Sequence, residues 1–203
     1  ELLISLDIVQ ANFSVLRSFD KEEALGASWR DFGARQDLDP ALIESKSLRQ
    51  ILFGNLNPKR SQRLQHAFMA RVRQALQVDL GVEAEDLAFS SHDELVLSTA
   101  RSDEPAARCD EIGDWLDHQS FELPLKTSIF RLRAFEKGRY VKTVYRLITV
   151  GGTPRLERRY RSLFGVPGNR FYLEFKRHVL DEPLDERDLL FWNDHRLAQW
   201  VVR

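Results

Sequence analysis

Cysteine is nearly absent from this chain of 203 residues, because Cys109 is the only one. A single thiol cannot form an internal disulfide framework, and such rarity is typical of proteins from a reducing compartment. No histidine follows or precedes Cys109 at a useful spacing, which disfavours a cysteine nucleophile. We therefore expect an intracellular protein, from the cytoplasm, the nucleus or an organelle matrix, without thiol-based catalysis.

Other missing patterns exclude further classes of protein. No apolar run approaches the ~20 residues that span a bilayer, and no signal peptide is visible, so we expect no membrane partner. Walker-type and Rossmann glycine patterns are absent. The five histidines are scattered along the chain, and no two have the spacing of zinc ligands. Zinc enzymes, P-loop proteins and dinucleotide-binding folds are thereby disfavoured.

The composition is that of a globular protein with a sizeable core. Hydrophobic residues make up 43% and charged residues 30% of the chain, which are ordinary values for a soluble protein. We predict an α+β core over residues 1–150 and a helix-plus-hairpin extension over residues 151–203, packed on that core. The chain begins with Glu1 and not with Met, which is consistent with a longer natural protein or with a subunit of a complex.

Hydrophobic periodicity and capping signals predict the order of the elements. Asp39-Pro40 and Asn57-Pro58 each combine a capping residue with proline at the first helical position. In chain order we expect a strand over 2–9, a helix after it, an irregular stretch over 29–39, helices from Pro40 to about Leu52 and from Pro58, a hairpin over 86–99, a helix over 104–118 and a hairpin over 125–147.

The C-terminal quarter is expected to contain a flexible joint and three further elements. Gly151-Gly152 indicates the joint. A basic helix is predicted from Arg155, and an amphipathic stretch follows at residues 171–179. A last hairpin is predicted over 189–202, turning at Asn193-Asp194.

This order of elements indicates an antiparallel sheet with helices packed on one face. A split β-α-β arrangement would place the first strand beside the hairpin at 86–99. The expected class is therefore α+β, and the pairing of these strands decides whether the acidic residues described next can meet.

Two carboxylates occupy unusual positions in these strands. Asp93-Glu94 forms the tip of the predicted hairpin, and Asp7 lies between Leu6 and Ile8 in mid-strand, where aspartate is disfavoured. Carboxylates on adjacent strands can hold Mg²⁺ or Mn²⁺ for phosphoryl transfer. We predict Asp7 and Asp93 as metal ligands with Glu94 assisting them. The alternative is that Asp93 and Glu94 are only polar turn residues.

The segment Gly54–Arg60 is the best candidate for binding a triphosphate. A glycine-containing loop that leads into a helix exposes unpaired backbone amides, which bind phosphate well. Asn55, Lys59 and Arg60 would contribute to this site. The segment could equally be a helix start with solvated charges.

Basic charge is concentrated between Leu125 and Arg161, although the whole chain has a net charge of −1. Eleven basic residues and two glutamates give this stretch a net charge of +9, and phenylalanine and tyrosine are interleaved with them. Basic side chains neutralise phosphates and aromatic rings stack on bases, so we predict a nucleic-acid surface. The alternative is a basic solvated face with its aromatic residues in the core. The predicted contacts are Arg131, Arg133, Lys137, Arg139, Lys142, Arg146, Arg158 and Arg159.

Three motifs resemble family A DNA polymerases. Ser91-His92-Asp93-Glu94-Leu95-Val96 is similar to the His-Asp-Glu hairpin of that family, and residues 6–17 resemble its first palm motif, an aspartate at the end of a strand before a helix. Arg49-Gln50-Ile51-Leu52-Phe53-Gly54 more weakly resembles its nucleotide-binding motif. The resemblance implies that Asp93 binds a catalytic metal and that Arg49 contacts an incoming nucleotide.

The first 99 residues also resemble the compact palm of tRNA-histidine guanylyltransferases. That family has an early strand with aspartate, a helical stretch and an acidic hairpin reading Ser-Asp-Glu, where this chain has His92-Asp93-Glu94. Both resemblances imply a ferredoxin-like or palm-like core. They imply a Mg²⁺-dependent nucleotidyltransferase or polymerase-like palm that uses a nucleoside triphosphate and acts on RNA or DNA. The alternative is a non-catalytic nucleic-acid-binding or assembly domain with a palm-like sheet.

Overall fold

A computed structural model describes residues 1–193 and 195–200 of the chain. Asp194, part of the predicted final turn, lies outside the described residues. The fold is α+β, as expected, and its main sheet has six antiparallel strands in the order β2-β3-β1-β4-β5-β6. The strands are β1 (Leu3–Ile8), β2 (Leu87–Ser90), β3 (Glu94–Ser98), β4 (Leu125–Glu136), β5 (Arg139–Val150), β6 (Thr153–Phe164), β7 (Leu190–Asn193) and β8 (Arg196–Gln199).

Seven α-helices occur in the described part of the chain. They are α1 (Ala11–Ser18), α2 (Trp29–Arg35), α3 (Pro40–Ile43), α4 (Lys46–Gly54), α5 (Pro58–Leu80), α6 (Pro105–His118) and α7 (Phe171–Phe175), and α7 continues as a π-helical turn over Lys176–Leu180. Among the described residues, no helix combines the length and the apolarity required to cross a membrane.

The chain divides into two compact units. The N-terminal unit comprises Leu3–Ser128, and the C-terminal unit comprises Glu1–Leu2 with Ile129–Arg203. The boundary expected from the sequence, after residue 150, falls between Val150 and Thr153, which are paired residues of the β5–β6 hairpin within the C-terminal unit.

In the N-terminal unit, β1 lies antiparallel to β3, from Leu3 opposite Ser98 to Asp7 opposite Glu94. The prediction that the first strand lies beside the acidic hairpin is therefore confirmed. Ile4, Leu6 and Ile8 are almost fully buried, as the period of two along a strand requires for residues that face a core.

Capping explains where the helices of this unit begin. Asn57 caps α5 by accepting a hydrogen bond from the Arg60 amide, and Pro58 follows at the first helical position. The predicted helix from Pro40 is interrupted, because Ser45 accepts from the Leu48 amide and starts a new helix, α4. Together α3 and α4 cover the stretch that the sequence assigned to one helix.

The expectation of an irregular stretch over residues 29–39 was wrong, because it contains α2. Ser28 caps this helix by accepting from the Asp31 amide. Trp29 is buried in one cluster with Phe13 and Phe53, and its indole Nε1 donates to the Ile43 carbonyl at 2.6 Å. Tertiary burial of one aromatic ring stabilises a helix whose sequence pattern alone is weak.

In the C-terminal unit, β4, β5 and β6 form a meander of three long strands. Glu136 lies opposite Arg139 in the first turn, as predicted. Gly151-Gly152 was predicted as a flexible joint, and this was wrong: the pair forms the two-residue turn of the second hairpin, with φ of 59° and 81°. Two positive φ angles suit glycine in a tight hairpin turn.

The basic helix predicted from Arg155 was also wrong, because these residues form β6. Leu156, Tyr160 and Leu163 recur at a helical spacing, but a β-bulge in β6 produces that spacing. Tyr160 pairs with Val144 and Arg158 with Tyr145, so Arg159 is the extra residue of the bulge. The bulge shifts the alternation of side chains between the two faces of the strand. Leu156 and Leu163 therefore lie on one face and Tyr160 on the other. The amphipathic stretch from Phe171 and the final hairpin are confirmed as α7 with its π-helical turn and as β7–β8.

Candidate functional site

A polar cavity of about 410 Å³ lies in the N-terminal unit, where β1 ends and the acidic hairpin turns. Five charged side chains line it together with His92 and several polar groups. The charged residues are Asp7, Asp93, Lys46, Arg49 and Lys126. Two carboxylates and three cations therefore share one cavity.

Backbone hydrogen bonds join the segments that carry the two carboxylates. The Ile8 amide donates to the Asp93 carbonyl at 3.0 Å, and the Val9 amide donates to the Pro124 carbonyl at 2.9 Å. Gln10 then adopts a left-handed conformation with φ of 51° and starts α1. The chain thus passes from strand to helix within three residues, and this change of direction forms one wall of the cavity.

Ser91 fixes the Asp93 carboxylate at the tip of the hairpin. Its hydroxyl donates to Asp93 Oδ1 at 2.9 Å and accepts from the amides of Asp93 and Glu94, at 3.3 and 3.1 Å. His92 Nε2 lies 3.6 Å from the same carboxylate oxygen. Short-range bonds of this kind hold turn residues in one conformation. Asp93 is therefore positioned before any ligand binds.

Lys126, the second residue of β4, neutralises Asp7. Its Nζ lies 2.8 Å from Asp7 Oδ2, and the Asp7 side chain keeps 31% of its exposure to solvent. An ion pair with this exposure contributes about 0–1 kcal/mol to stability. Such a pair separates at little cost, and the lysine can then bind another anion.

Helix α4 presents one face to the cavity. Lys46, Arg49 and Gln50 all line it, and residues separated by three and four positions lie on the same side of a helix. Lys46 and Arg49 thus place two positive charges opposite the acidic hairpin.

Asn12 links the cavity wall to the long helix α5. Its Oδ1 accepts from Ser61 Oγ at 3.2 Å and from Gln65 Nε2 at 3.0 Å. Gln65 is fully buried, so these bonds are made in the interior, where hydrogen bonds to buried polar groups matter most. They fix the first turn of α1 on the N-terminal part of α5.

The structure brings together three of the residues predicted to form the site, Asp7, Asp93 and Arg49. Glu94 is directed elsewhere, because the Ser5 hydroxyl donates to its carboxylate at 2.5 Å, and it does not line this cavity. Lys46, Lys126 and Asn12 were missed. For Lys46 the signal was its helical spacing to Arg49, whereas Lys126 depends on a strand pairing that the local sequence does not reveal.

The residues predicted to hold a triphosphate at the start of α5 lie outside this cavity. Asn55 is the C-terminal cap of α4, and Lys59 lies in the exposed first turn of α5. Arg60 lines a different cavity, of about 430 Å³, whose apolar walls come from α1 and from the segments around the start of α5. The start of α5 is therefore a capped helix end that does not contribute to the acidic cavity.

The predicted nucleic-acid contacts are distributed over both faces of the β4–β6 meander. Alternation along the paired strands places Arg131, Arg133 and Arg158 on one face, and Lys142 and Arg146 on the other. Lys137 lies in the first turn, where Arg139 forms an ion pair with Glu136, and Arg159 is the bulge residue.

Asp181 neutralises part of the arginine-rich face. Its carboxylate lies 2.8 Å from Arg161 Nη1 and 3.9 Å from Arg133 Nη2. The hydrogen bond from Arg161, with the positive charges of Arg161, Arg133 and Arg158, lowers the pKa of Asp181. On the same face, Val141 and Leu163 are buried against Val179. This face is thus occupied by residues of the C-terminal unit itself.

Comparison with known proteins gave no match to a family model, to a curated protein or to a solved structure. Within the described ranges 1–193 and 195–200, no group of three or more histidine, cysteine or acidic residues has the geometry of a metal cage. Inference about function therefore depends on the cavity and its charges.

Proposed function

We propose that this chain is a Mg²⁺-dependent nucleotidyltransferase, a polymerase-like palm that acts on nucleic acid. The observation that carries the proposal is the convergence of Asp7 and Asp93 on one cavity with Lys46, Arg49 and Lys126. A nucleoside triphosphate with bound metal is a ligand that needs acidic groups for the metal and cations for the phosphates.

The strand order supports a ferredoxin-like or palm-like assignment of the core. The chain runs β1, helices, β2, β3, helix, β4, and these strands lie in the order β2-β3-β1-β4. A split β-α-β unit repeated twice produces this order. It puts a strand that carries aspartate beside an acidic hairpin, which is the arrangement that the resemblance to palm enzymes implies.

The donor set fits Mg²⁺ or Mn²⁺ bound together with substrate. Mg²⁺ commonly takes one or two carboxylates from the protein and completes its shell with water and phosphate oxygens. Asp7 and Asp93 meet this requirement, and a third acidic ligand is not needed. When bound, the metal would supply Lewis-acid stabilisation of the phosphoryl group that is transferred.

The remaining residues of the cavity have roles that follow from their charges. Lys46 and Arg49 would bind phosphate oxygens from α4. Lys126 would leave Asp7 when the metal arrives and would then neutralise charge on the triphosphate. In the transfer itself, a substrate hydroxyl oxygen forms a bond to the α-phosphorus and loses its proton to water. The bond from that phosphorus to the bridging oxygen breaks, and pyrophosphate leaves with the electron pair.

A second candidate function has one observation in its favour. Lys126 Nζ lies 2.8 Å from the Asp7 carboxylate, so this carboxylate has a counter-charge without a metal. This arrangement suits a non-catalytic nucleic-acid-binding or assembly domain that keeps a palm-like sheet. The two candidates differ in whether the cavity supports nucleotide transfer.

A thermal shift titration with Mg²⁺ and Mn²⁺ tests the metal site. We expect the melting temperature of the native protein to rise with metal in the presence of nucleoside triphosphate, because ligands that bind only the folded state stabilise it. The double variant Asp7→Ala/Asp93→Ala should show no such rise. Asp117→Ala, which removes an exposed carboxylate of α6, is the matched control and should respond as the native protein does.

Incorporation of labelled nucleotides into an oligonucleotide separates the two candidate functions. Each single variant, Asp7→Ala and Asp93→Ala, should lower turnover by at least about 100-fold, since each removes a metal ligand worth several kcal/mol. A metal response without incorporation would favour the binding domain. Identical metal responses in the native protein and the double variant would contradict the proposed site.

A further inference from the structure

One face of the β4–β6 meander in the C-terminal unit presents aromatic rings to solvent. Tyr160 is 60% exposed and Phe164 is 40% exposed. Tyr160 pairs with Val144, and Phe164 pairs with Tyr140, so their side chains lie on one side of the sheet. We define the aromatic face as Tyr140, Lys142, Arg146, Arg155, Tyr160 and Phe164.

Two rings of this face lie against each other. Tyr140 and Phe164 stack with centroids 5.2 Å apart and planes at 10°. Lys142 follows Tyr140 by two positions on β5 and therefore lies on the same face. Its Nζ is 4.1 Å from the centroid of the Phe130 ring. The cation–π contact fixes the position of the lysine on the sheet. The ring pair and the lysine are therefore in position before any ligand arrives.

The charge of the aromatic face complements phosphate. Three basic residues lie on this face: Lys142, Arg146 and Arg155. Glu157 lies on the same face, because it pairs with Arg146. The opposite face differs, because Asp181 neutralises its arginines and a helix covers its apolar residues. Positive charge and accessible rings thus coincide on the aromatic face.

We infer that the aromatic face binds single-stranded nucleic acid, with bases stacked on Tyr160 and on the Tyr140–Phe164 pair and phosphates held by Lys142, Arg146 and Arg155. This inference depends on the proposed function only in taking nucleic acid as the substrate. Bases in a duplex are stacked on one another and offer only their edges, whereas unpaired bases can cover aromatic side chains.

The spacing of the rings indicates contact with more than one nucleotide. Phe164 follows Tyr160 by four positions along β6, and a strand rises ~3.3 Å per residue, so the two stacking positions lie about 13 Å apart. A stacked strand advances about 3.4 Å per nucleotide. The two positions therefore contact different nucleotides of one strand.

Fluorescence anisotropy with labelled 12-nucleotide strands of DNA and RNA, and with the matching duplexes, tests the inference on the full chain. A single strand should bind more tightly than its duplex, and the DNA and RNA arms identify the preferred sugar. Tyr160→Ala should weaken binding by about 5- to 100-fold, the range for loss of one stacked base. Phe164→Leu keeps an apolar side chain, protects folding, and should also weaken binding.

Two arginines on opposite faces provide the matched charge control. Arg146→Gln should weaken binding and reduce its salt dependence, because it removes a phosphate contact, whereas Arg131→Gln on the other face should leave both nearly unchanged. Binding is measured without metal or triphosphate, so failure of the metal site would not affect this result. Equal affinity for strand and duplex, or an unchanged affinity of Tyr160→Ala, would overturn the inference.

Discussion

At the scale of single residues, short side chains position the chemical groups of the cavity. Ser91 holds Asp93 through one hydroxyl, and Asn12 joins α1 to α5 through one amide oxygen. Neither residue carries a charge, yet each limits the conformations that its neighbours can adopt. We expect changes at Ser91 to affect the orientation of Asp93 more than the stability of the fold, because the bonds are local.

Cys109 provides a test of burial at the residue scale. The residue is 4% exposed, and burial, with the nearby charge of Asp110, raises the pKa of its thiol to about 11. The thiolate is the reactive form, so we expect the native thiol at pH 8 to react with a disulfide reagent on the order of 100-fold more slowly than the denatured one. The absorbance of the released thiolate gives both rates, and Cys109→Ala supplies the background.

A native rate equal to the denatured rate would show that α6 opens readily around Cys109. The slow rate would instead agree with an inert structural thiol, as expected from the sequence. Either result can be read without any knowledge of the substrate.

At the scale of elements, a network of ion pairs and hydrogen bonds joins α7 and its π-helical turn to the segment before β7. Asp188 accepts from the Asp185 amide at 2.8 Å, from Lys176 Nζ at 2.5 Å and from Tyr172 Oη at 2.8 Å. These bonds, the backbone amide first, lower the pKa of Asp188 to about 2. The carboxylate side chain is only 7% exposed, so the network is an internal link of the C-terminal unit.

The lowered pKa predicts how this link depends on pH. An unfolded aspartate titrates near ~3.9, so ionised Asp188 stabilises the fold fully above that pH, and the stabilisation is lost as the pH falls toward 2. Asp188→Asn should therefore be less stable than the native protein at pH 7. The difference should disappear only below pH 2, where Asp188 is protonated in both the folded and the unfolded state. Denaturant unfolding at several pH values measures the difference.

The control for this experiment is Glu186→Gln, a change at an exposed carboxylate in the same segment. It should alter stability little at any pH. If Asp188→Asn lost the same stability at pH 2 as at pH 7, its effect would come from packing and not from ionisation.

At the scale of the whole molecule, the sequence predicted what local patterns determine. Capping residues located the starts of α3 and α5 closely, since Asp39 and Asn57 make bonds within three residues. The split β-α-β order was sufficient to place β1 beside the acidic hairpin. Asp7 was recognisable because a charged residue in mid-strand needs a reason.

The features that the sequence did not predict depend on contacts between distant segments or on a β-bulge, which shifts the alternation of side chains between the two faces of a strand. Lys126 reaches Asp7 only because the start of β4 lies near the end of β1, a contact across more than half of the chain. The bulge at Arg159 gave β6 an apolar spacing like that of a helix. Helix α2 depends on the burial of Trp29, which no periodicity within its seven residues could indicate.

The turns of the meander also determine the order in which the chain can fold. Two-residue turns join β4 to β5 and β5 to β6, whereas the bond from Ser5 to Glu94 joins residues 89 positions apart. Closing a short loop costs less entropy, and local contacts form faster. We expect refolding to restore affinity for an oligonucleotide before it restores the response to Mg²⁺, which stopped-flow mixing can time. During synthesis, in contrast, β1 is made well before its partner β3, and this apolar strand must stay unpaired until β3 has been synthesised.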